Sequence, residues 1–153
     1  MSGVEIRSAQ PRDIEAWVAK RAALWPDAPR DELAESAGRY FDDPSHRVFL
    51  ERVLIAEHGG KAVGMIELSL RSIADGCSTS PVPYIEGWFV AAQARRLGVG
   101  RALVRAAEDW ARAQGASEIA SDILIENQVS EAAHKALGFE EVDRMVSFRK
   151  SLA

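Results

Sequence analysis

The segment YIEGWFVAAQARRLGVGRALV, residues 84–104, constrains the fold more than any other part of this sequence. Its first seven residues are rich in aromatic and β-branched side chains, which is typical of a strand. Two glycines, Gly98 and Gly100, then open a run with apolar residues at helical spacing. The segment therefore predicts a strand over Tyr84–Val90, a glycine-rich turn and a helix from about Gly98 to Gln114.

The turn itself permits two interpretations. Glycines let a phosphate approach the backbone, and the free N–H groups at a helix start favour an anion. Three arginines surround the same place: Arg95, Arg96 and Arg101. The alternative is a flexible helix start whose arginines are solvated. The spacing fits neither a Walker motif nor a three-glycine dinucleotide motif, so these ten residues alone leave both interpretations open.

The remaining periodicities predict one mixed α/β domain over residues 1–153. We expect the order β-α-α-β-β-β-α-β-α-β, with a mixed sheet of about six to seven strands flanked by four helices. Gly59 and Gly60 predict a hairpin turn. The other predicted strands are Val4–Arg7, Arg52–His58, Lys61–Arg71, Glu118–Ile125 and Asp143–Lys150. The other predicted helices are Pro11–Leu24, Arg30–Asp42 and Asn127–Leu137.

Composition excludes several classes of function. The chain has 153 residues, and its formal net charge of −4 argues against a nucleic-acid partner. No apolar run is long enough to span a membrane, and no signal peptide is evident, so we expect a cytoplasmic protein. The single cysteine, Cys77, has no histidine near it in the sequence. The histidines at positions 46 and 58 lie in polar or turn segments, and no metal site is expected.

Two carboxylates lie inside apolar strand patterns, where a charge needs a reason. Glu86 interrupts YIEGWFV and Asp122 interrupts IASDILI. Such groups could bind an amine and remove its proton, directly or through water. Strand alternation also permits a simpler interpretation, in which both side chains point into water.

The order of elements and two motifs identify a family resemblance. Arg95-x-x-Gly98-x-Gly100 resembles the pyrophosphate-binding signature of the GNAT superfamily of N-acetyltransferases. The segment NQVSEAAHKALGF, which begins at Asn127, resembles that superfamily's next helix. Four further segments spread along the chain are similar to the aminoglycoside 6'-N-acetyltransferases of that superfamily: RAALWPD, GCSTSPVPYIEGWFV, EIASDILIENQVSEAAHKALGF and VSFRKSL.

The resemblance implies an enzyme that transfers an acetyl group from acetyl-CoA to the 6'-amine of an aminoglycoside within a ternary complex. The pantetheine arm is expected to add to the edge of the strand that ends at Val90. A backbone N–H near Phe89 would then stabilise the oxyanion. The implied cofactor contacts are Phe89, Val90, Arg95, Arg96, Leu97, Gly98, Val99, Gly100, Arg101 and Asn127.

The resemblance also implies a substrate pocket and catalytic groups. The implied substrate contacts are Trp25, Ile73, Glu86, Asp122 and Asp143, and the candidate catalytic groups are Glu86, Asp122 and His134. His134 stands where many members carry a tyrosine, and either residue, placed near the thioester sulfur, could protonate the leaving thiolate. Each position has a structural alternative: a core tryptophan, a solvated aspartate, a helix-capping asparagine or a hydrogen-bonding histidine. A homodimer, formed through the C-terminal strands, is implied as well.

Two departures from the subfamily pattern bear on the substrate. Ile73 and Ser147 replace residues that are often aromatic in relatives. They keep open an acetyltransferase for a polyamine, a metabolite amine or a peptide. A module that binds acyl-CoA without chemistry is a further alternative.

Overall fold

The computed structural model describes residues 3–42 and 49–153. A five-stranded sheet in the order β1-β2-β3-β4-β5 forms its centre. The strands are β1 Val4–Ser8, β2 Arg52–His58, β3 Lys61–Arg71, β4 Val82–Val90 and β5 Ala120–Ser121. The helices are α1 Ile14–Leu24, α2 Arg30–Phe41, α3 Val99–Ala113 and α4 Gln128–Ala136. The α/β class and the four predicted helices are confirmed.

Neighbouring strands from β1 to β4 are antiparallel, and β5 alone runs parallel to its neighbour β4. A parallel pair needs a crossover connection, which α3 supplies here. The predicted hairpin between β2 and β3 is confirmed, since Gly59 and Gly60 have φ of +58° and +75°. Glycine adopts positive φ without a steric penalty, so both residues suit this turn.

Helices cover both faces of the sheet, so apolar residues are buried on each side. α1 and α2 build one core around Trp17, which is fully buried against Tyr40, Ile55 and Met65. α3 builds the other core, in which Leu103 packs against side chains of β2, β3 and β4. The predicted strand β4 thus lies between α1 and α3, and α3 covers one face of the sheet.

The predicted sheet of six to seven strands is wrong, since the described residues form five strands. Pairing with β4 limits β5 to two residues of the predicted Glu118–Ile125. The predicted strand Asp143–Lys150 has no regular secondary structure, and its residues are exposed. A strand requires a neighbour that supplies hydrogen bonds, and this segment finds none among the described residues. His46 lies outside the described residues.

No helix in the described ranges is long and apolar enough to cross a bilayer.

Candidate active site

A β-bulge in β4 carries Glu86. Glu67 of β3 faces Gly87, and the next residue, Leu68, faces Ile85, so Glu86 is an extra residue in β4. A bulge bends its strand and redirects the side chain of the extra residue. Glu86 consequently lies on the α1 side of the sheet, where it contacts side chains of β3.

Beyond the bulge, β4 separates from β5. The parallel pairing is restricted to Tyr84 with Ala120 and Ile85 with Ser121. Residues 86–90 therefore continue without a β5 partner in the described chain. An unpaired strand edge offers N–H and C=O groups to an extended ligand. Phe89 and Val90, both predicted cofactor contacts, belong to this open edge.

Glu86 is enclosed by three hydrogen bonds. Its Oε1 accepts from Ser69 Oγ at 2.9 Å and from Arg71 Nε at 2.7 Å, and its Oε2 accepts from Arg71 Nη2 at 2.8 Å. The Glu86 side chain is only 10% exposed, while that of Arg71 is 38% exposed. Hydrogen bonding to the carboxylate raises the pKa of the Arg71 guanidinium above its usual value. Glu86 is therefore a largely buried charge rather than the solvated one that strand alternation also permitted, and Arg71, which sequence reasoning missed, neutralises it.

Asp122 is linked to Glu86 through a cation and an aromatic ring. The Tyr84 hydroxyl donates to Asp122 Oδ2 at 2.5 Å, and the Arg71 guanidinium lies 3.6 Å from the centre of the Tyr84 ring. Burial, followed by the hydrogen bond to Asp122, raises the pKa of Tyr84, so its phenol stays protonated and donates. The side chains thus form a continuous row of contacts in the order Glu86, Arg71, Tyr84 and Asp122, with a carboxylate at each end.

Trp25 forms a wall beside the bulge. A Cβ atom on Gly87 would lie 2.9 Å from Trp25 Cη2 and 3.2 Å from Glu67 Oε2, so glycine lets the indole approach the strand. Trp25 is partly exposed rather than part of the core. Its position next to Glu86 along the strand fits the predicted substrate contact.

The ion pair below Trp25 is fully buried. Glu67 Oε1 accepts from Trp17 Nε1 at 2.7 Å and from Arg21 Nε at 2.5 Å. The Arg21 guanidinium also lies 5.8 Å from the Trp25 ring centre. This cluster fixes the end of α1 against β3 and hence the wall of the site.

The glycine turn has the geometry of an anion site. Arg96 and Gly98 both have left-handed backbones, with φ of +70° and +77°. Gly98 directly precedes α3, so these residues lie at a helix N-terminus, where free backbone N–H groups favour an anion. The helical hydrogen bonds begin with Ala102 N–H to Gly98 O at 3.0 Å. The N–H groups of residues 98–101 therefore have no hydrogen-bond partner within the helix.

Different constraints require glycine at the two positions of the turn. A Cβ on Gly98 would meet nothing within 4 Å, so only its backbone conformation demands glycine. A Cβ on Gly100 would lie 3.1 Å from Trp88 Cζ2, so packing on the strand demands it. The contact between α3 and β4 therefore accounts for glycine at position 100, while the N–H groups of both glycines precede the helical hydrogen bonds.

The other predicted cofactor contacts surround this turn. Arg95, Arg96 and Arg101 are exposed, and Arg95 Nε donates to Val90 O at 3.4 Å. Leu97 is 45% exposed, whereas the Val99 side chain is 1% exposed in the core and leaves only its backbone to a ligand.

His134 bridges α4 to β5. Its Nδ1 lies 2.8 Å from Ser130 O, which can only accept, so Nδ1 carries a proton. Its Nε2 lies 2.9 Å from Ser121 Oγ, and the ring packs edge-on against Trp88. The imidazole thus stands at the opening between β4 and β5, with both nitrogens occupied.

The structure does not join the remaining predicted residues to the row of Glu86 and Asp122. Asn127 Oδ1 accepts from Ser130 N at 3.1 Å and caps α4. Ile73 is 82% exposed in the β3–β4 loop. Asp143 is exposed and accepts from Arg144 N at 2.8 Å.

Sequence reasoning missed Ser69, Arg71 and Tyr84 in the site. A signal existed, because Glu67, Ser69 and Arg71 alternate with apolar residues in IELSLR and must share one face of β3. Their partners on β4 depend on the loop length and on the bulge, which alternation does not reveal.

A family model described as "Acetyltransferase (GNAT) family" matches residues 12–139, which include the bulged strand, the glycine turn and α4. The chain belongs to the GNAT acetyltransferase family. The resemblance inferred from Arg95-x-x-Gly98-x-Gly100 is confirmed.

Full-length relatives of this GNAT protein carry a more specific name. The chain is 40% identical over 147 residues to aminoglycoside N(6')-acetyltransferase type 1 of Klebsiella aerogenes, covering 96% of both chains. It is 42% identical to the enzyme of that name from Stenotrophomonas maltophilia, covering 99% of this chain and 95% of the relative. Its fold matches that of AAC(6')-Iy in complex with the bisubstrate analogue CoA-S-monomethyl-acetylneamine. The TM-score is 0.86 at 34% identity, over 97% of this chain and 98% of the other.

Proposed function

We propose that this protein is an acetyl-CoA-dependent N-acetyltransferase that acetylates the 6'-amino group of aminoglycosides by direct transfer in a ternary complex. The observation that carries the proposal is the row of Glu86 and Asp122 beside an unpaired β4 edge and an anion-binding turn. Relatives with the corresponding name, aligned over nearly the whole chain, support this substrate class.

The residues present fit acetyl-CoA. The pyrophosphate would be held by the N–H groups of residues 98–101, which have no hydrogen-bond partner within the helix. The left-handed backbones at Arg96 and Gly98 shape this turn, and the exposed arginines would surround the ligand. The open edge of β4 at residues 86–90 would pair with the pantetheine amides, and a backbone N–H near Phe89 would receive the thioester carbonyl. Asn127, which caps α4, would contact the same arm. Acetyl-CoA supplies a thioester acyl group that an amine can attack.

Glu86 and Asp122 would bind ammonium groups of the substrate, and one of them would take the proton from the reacting amine, directly or through water. A polycation suits this row, because several ammonium–carboxylate contacts reinforce one another. Trp25 would form the wall, with Ile73 and Asp143 as outer contacts. His134 would protonate the leaving thiolate from Nε2 as the imidazolium, and it would return to the neutral ring with its Nδ1 proton still hydrogen-bonded to Ser130 O. The contact of Nε2 with Ser121 Oγ would open for that transfer.

The experiment combines turnover with cofactor binding. CoA-thiol release should require a 6'-amino aminoglycoside such as tobramycin, and Glu86→Gln and Asp122→Asn should reduce kcat/KM by at least tenfold. Acetyl-CoA affinity, measured by calorimetry, should change less than twofold in both variants. Turnover of spermidine or a peptide but of no aminoglycoside would contradict the substrate. Cofactor binding without turnover of any amine would indicate a binding module.

A homodimer and a cytoplasmic location belong to the same proposal. The chain beyond α4 has no regular secondary structure and exposes five large apolar side chains: Val142, Met145, Val146, Phe148 and Leu152. A second copy would cover them by strand pairing, which restores the neighbour that this segment needs. Val146→Asp with Phe148→Asp should convert a dimer into a monomer in sedimentation analysis. A monomeric wild-type protein would contradict the assembly. A cytoplasmic location would supply acetyl-CoA and would keep the free thiol of Cys77 reduced.

A further inference from the structure

Glu86 already holds a cation before any substrate arrives. A carboxylate has about four lone-pair positions. Ser69 and Arg71 fill three of them at 2.7 to 2.9 Å. A substrate ammonium that is to make more than one contact with Glu86 must therefore displace Ser69 or Arg71, and Arg71 holds two of the three filled positions.

Burial shows which partner can leave. An unpaired Glu86 carboxylate, 10% exposed, would lack both water and a counter-ion, which is costly in the interior. Arg71 is the last residue of β3 and is 38% exposed, so its guanidinium can return to solvent. Its contact with the Tyr84 ring needs no Glu86 and can persist when the ion pair opens.

The groups around this ion pair set the charge balance. Glu86 and Asp122 are negative, Arg71 is positive and Tyr84 is a neutral phenol, so the row carries one net negative charge. An ammonium that replaces the guanidinium conserves the charge next to Glu86. A hydroxyl in the same place cannot, because it would leave the buried carboxylate without a cation.

We propose that Arg71 is a specificity-determining residue: it is the internal counter-ion of Glu86 that a substrate ammonium replaces. The inference rests on the proposed function, since it requires a cationic substrate at Glu86. In the exchange, the hydrogen bonds from Arg71 to Glu86 break and those from the ammonium form, with no covalent change. The site thereby favours an ammonium over a hydroxyl at this position.

Calorimetry of tobramycin binding to the CoA-saturated protein tests the exchange. Arg71→Met keeps the aliphatic stem and removes the competing charge, so tobramycin should bind about tenfold more tightly, the scale of one charge-assisted hydrogen bond. Arg112→Met is the matched control, because Arg112 is an exposed cation on α3 that pairs with Asp109 at 3.2 Å. Its affinity should change less than twofold.

The gain must depend on the carboxylate. In a Glu86→Gln background, Arg71→Met should leave tobramycin affinity unchanged within twofold. Unchanged or weaker binding by Arg71→Met in the otherwise native protein would overturn the proposal and make Arg71 a structural support. If the wild-type protein neither binds nor acetylates tobramycin, the proposed function fails. If it does both and Arg71→Met gains no affinity, only the present inference fails.

A measurement on the native side chain covers the case in which Arg71→Met does not fold. The Nε–H signal of Arg71 in arginine-labelled protein, assigned by its absence in Arg71→Lys, reports the bond to Glu86. Tobramycin should shift this signal toward that of a solvated arginine and accelerate its exchange with water. An unchanged Arg71 signal in the saturated complex would overturn the exchange.

Discussion

The buried pair of Arg21 and Glu67 allows a prediction whose size follows from the structure. Glu67→Gln keeps the shape of the side chain and an acceptor for Trp17, but it leaves the guanidinium of Arg21 in the interior without an anion. Glu67 is 1% exposed and Arg21 is 6% exposed, so water cannot replace the lost charge. Breaking such a pair from one side costs about 3–5 kcal/mol.

At about 2–4 °C per kcal/mol for a domain of this size, Tm should fall by roughly 6–20 °C. Urea unfolding followed by circular dichroism gives the free energy directly. Glu57→Gln is the matched control: Glu57 accepts from Arg7 at 3.0 Å with 21% of its side chain exposed, and Arg7 keeps Asp13 as a second anion. The control should lose about 1 kcal/mol or less.

Removing both charges separates pairing from burial. The double variant Arg21→Met with Glu67→Gln leaves no unpaired charge and keeps an acceptor for Trp17 Nε1, so it should be more stable than Glu67→Gln alone. A loss below about 1 kcal/mol in Glu67→Gln, or a double variant less stable than the single one, would refute the reasoning about this cluster.

Three further predictions concern the turn, acid stability and the thiol. Gly98→Ala should cost about 1–2 kcal/mol through its left-handed backbone and weaken acetyl-CoA binding, measured by calorimetry, whereas Gly100→Ala should disturb the indole fluorescence of the neighbouring β4 tryptophan; equal effects of both would contradict the assignment. Hydrogen bonding to Arg7 lowers the pKa of Asp13, so its contribution to stability is present above about pH 4 and is lost as pH falls further; Asp13→Asn should flatten this part of the stability profile, and an unaltered profile would exclude the linkage. Burial, with the nearby Glu118 carboxylate second, raises the pKa of the Cys77 thiol, so alkylation at pH 7 should be slow and Cys77→Ser should keep full activity; a dead variant would give the thiol a role in the reaction.

Local periodicity was sufficient for most of the fold. The strands from β1 to β4 and the helices from α2 to α4 lie within two residues of their predicted bounds, because amphipathic spacing, prolines and glycines act over short range. α1 begins three residues later than predicted, because Pro11–Asp13 form a 3-10 turn before it. The failures came from pairing between distant segments. β5 is short because β4 bends away after Ile85, and the segment after α4 has no neighbouring strand to join.

The same distinction applies to the site. Glu86 and Asp122 were found because a charge inside an apolar strand is conspicuous in the sequence. Arg71 was not, because its contact with Glu86 depends on the bulge and on the length of the β3–β4 loop. Gly100 is conspicuous in the sequence as part of a phosphate-binding motif, but its close packing on Trp88 is revealed only by three-dimensional contact.

The position of the transferred acetyl group tests the central claim most directly. Tobramycin, acetyl-CoA and the purified protein are incubated, and the product is analysed by NMR, with a 6'-hydroxyl aminoglycoside as the matched substrate. We predict one acetyl group on the 6'-nitrogen of tobramycin and no CoA release with the 6'-hydroxyl compound. Acetylation at another nitrogen, or equal turnover of the 6'-hydroxyl compound, would contradict the account.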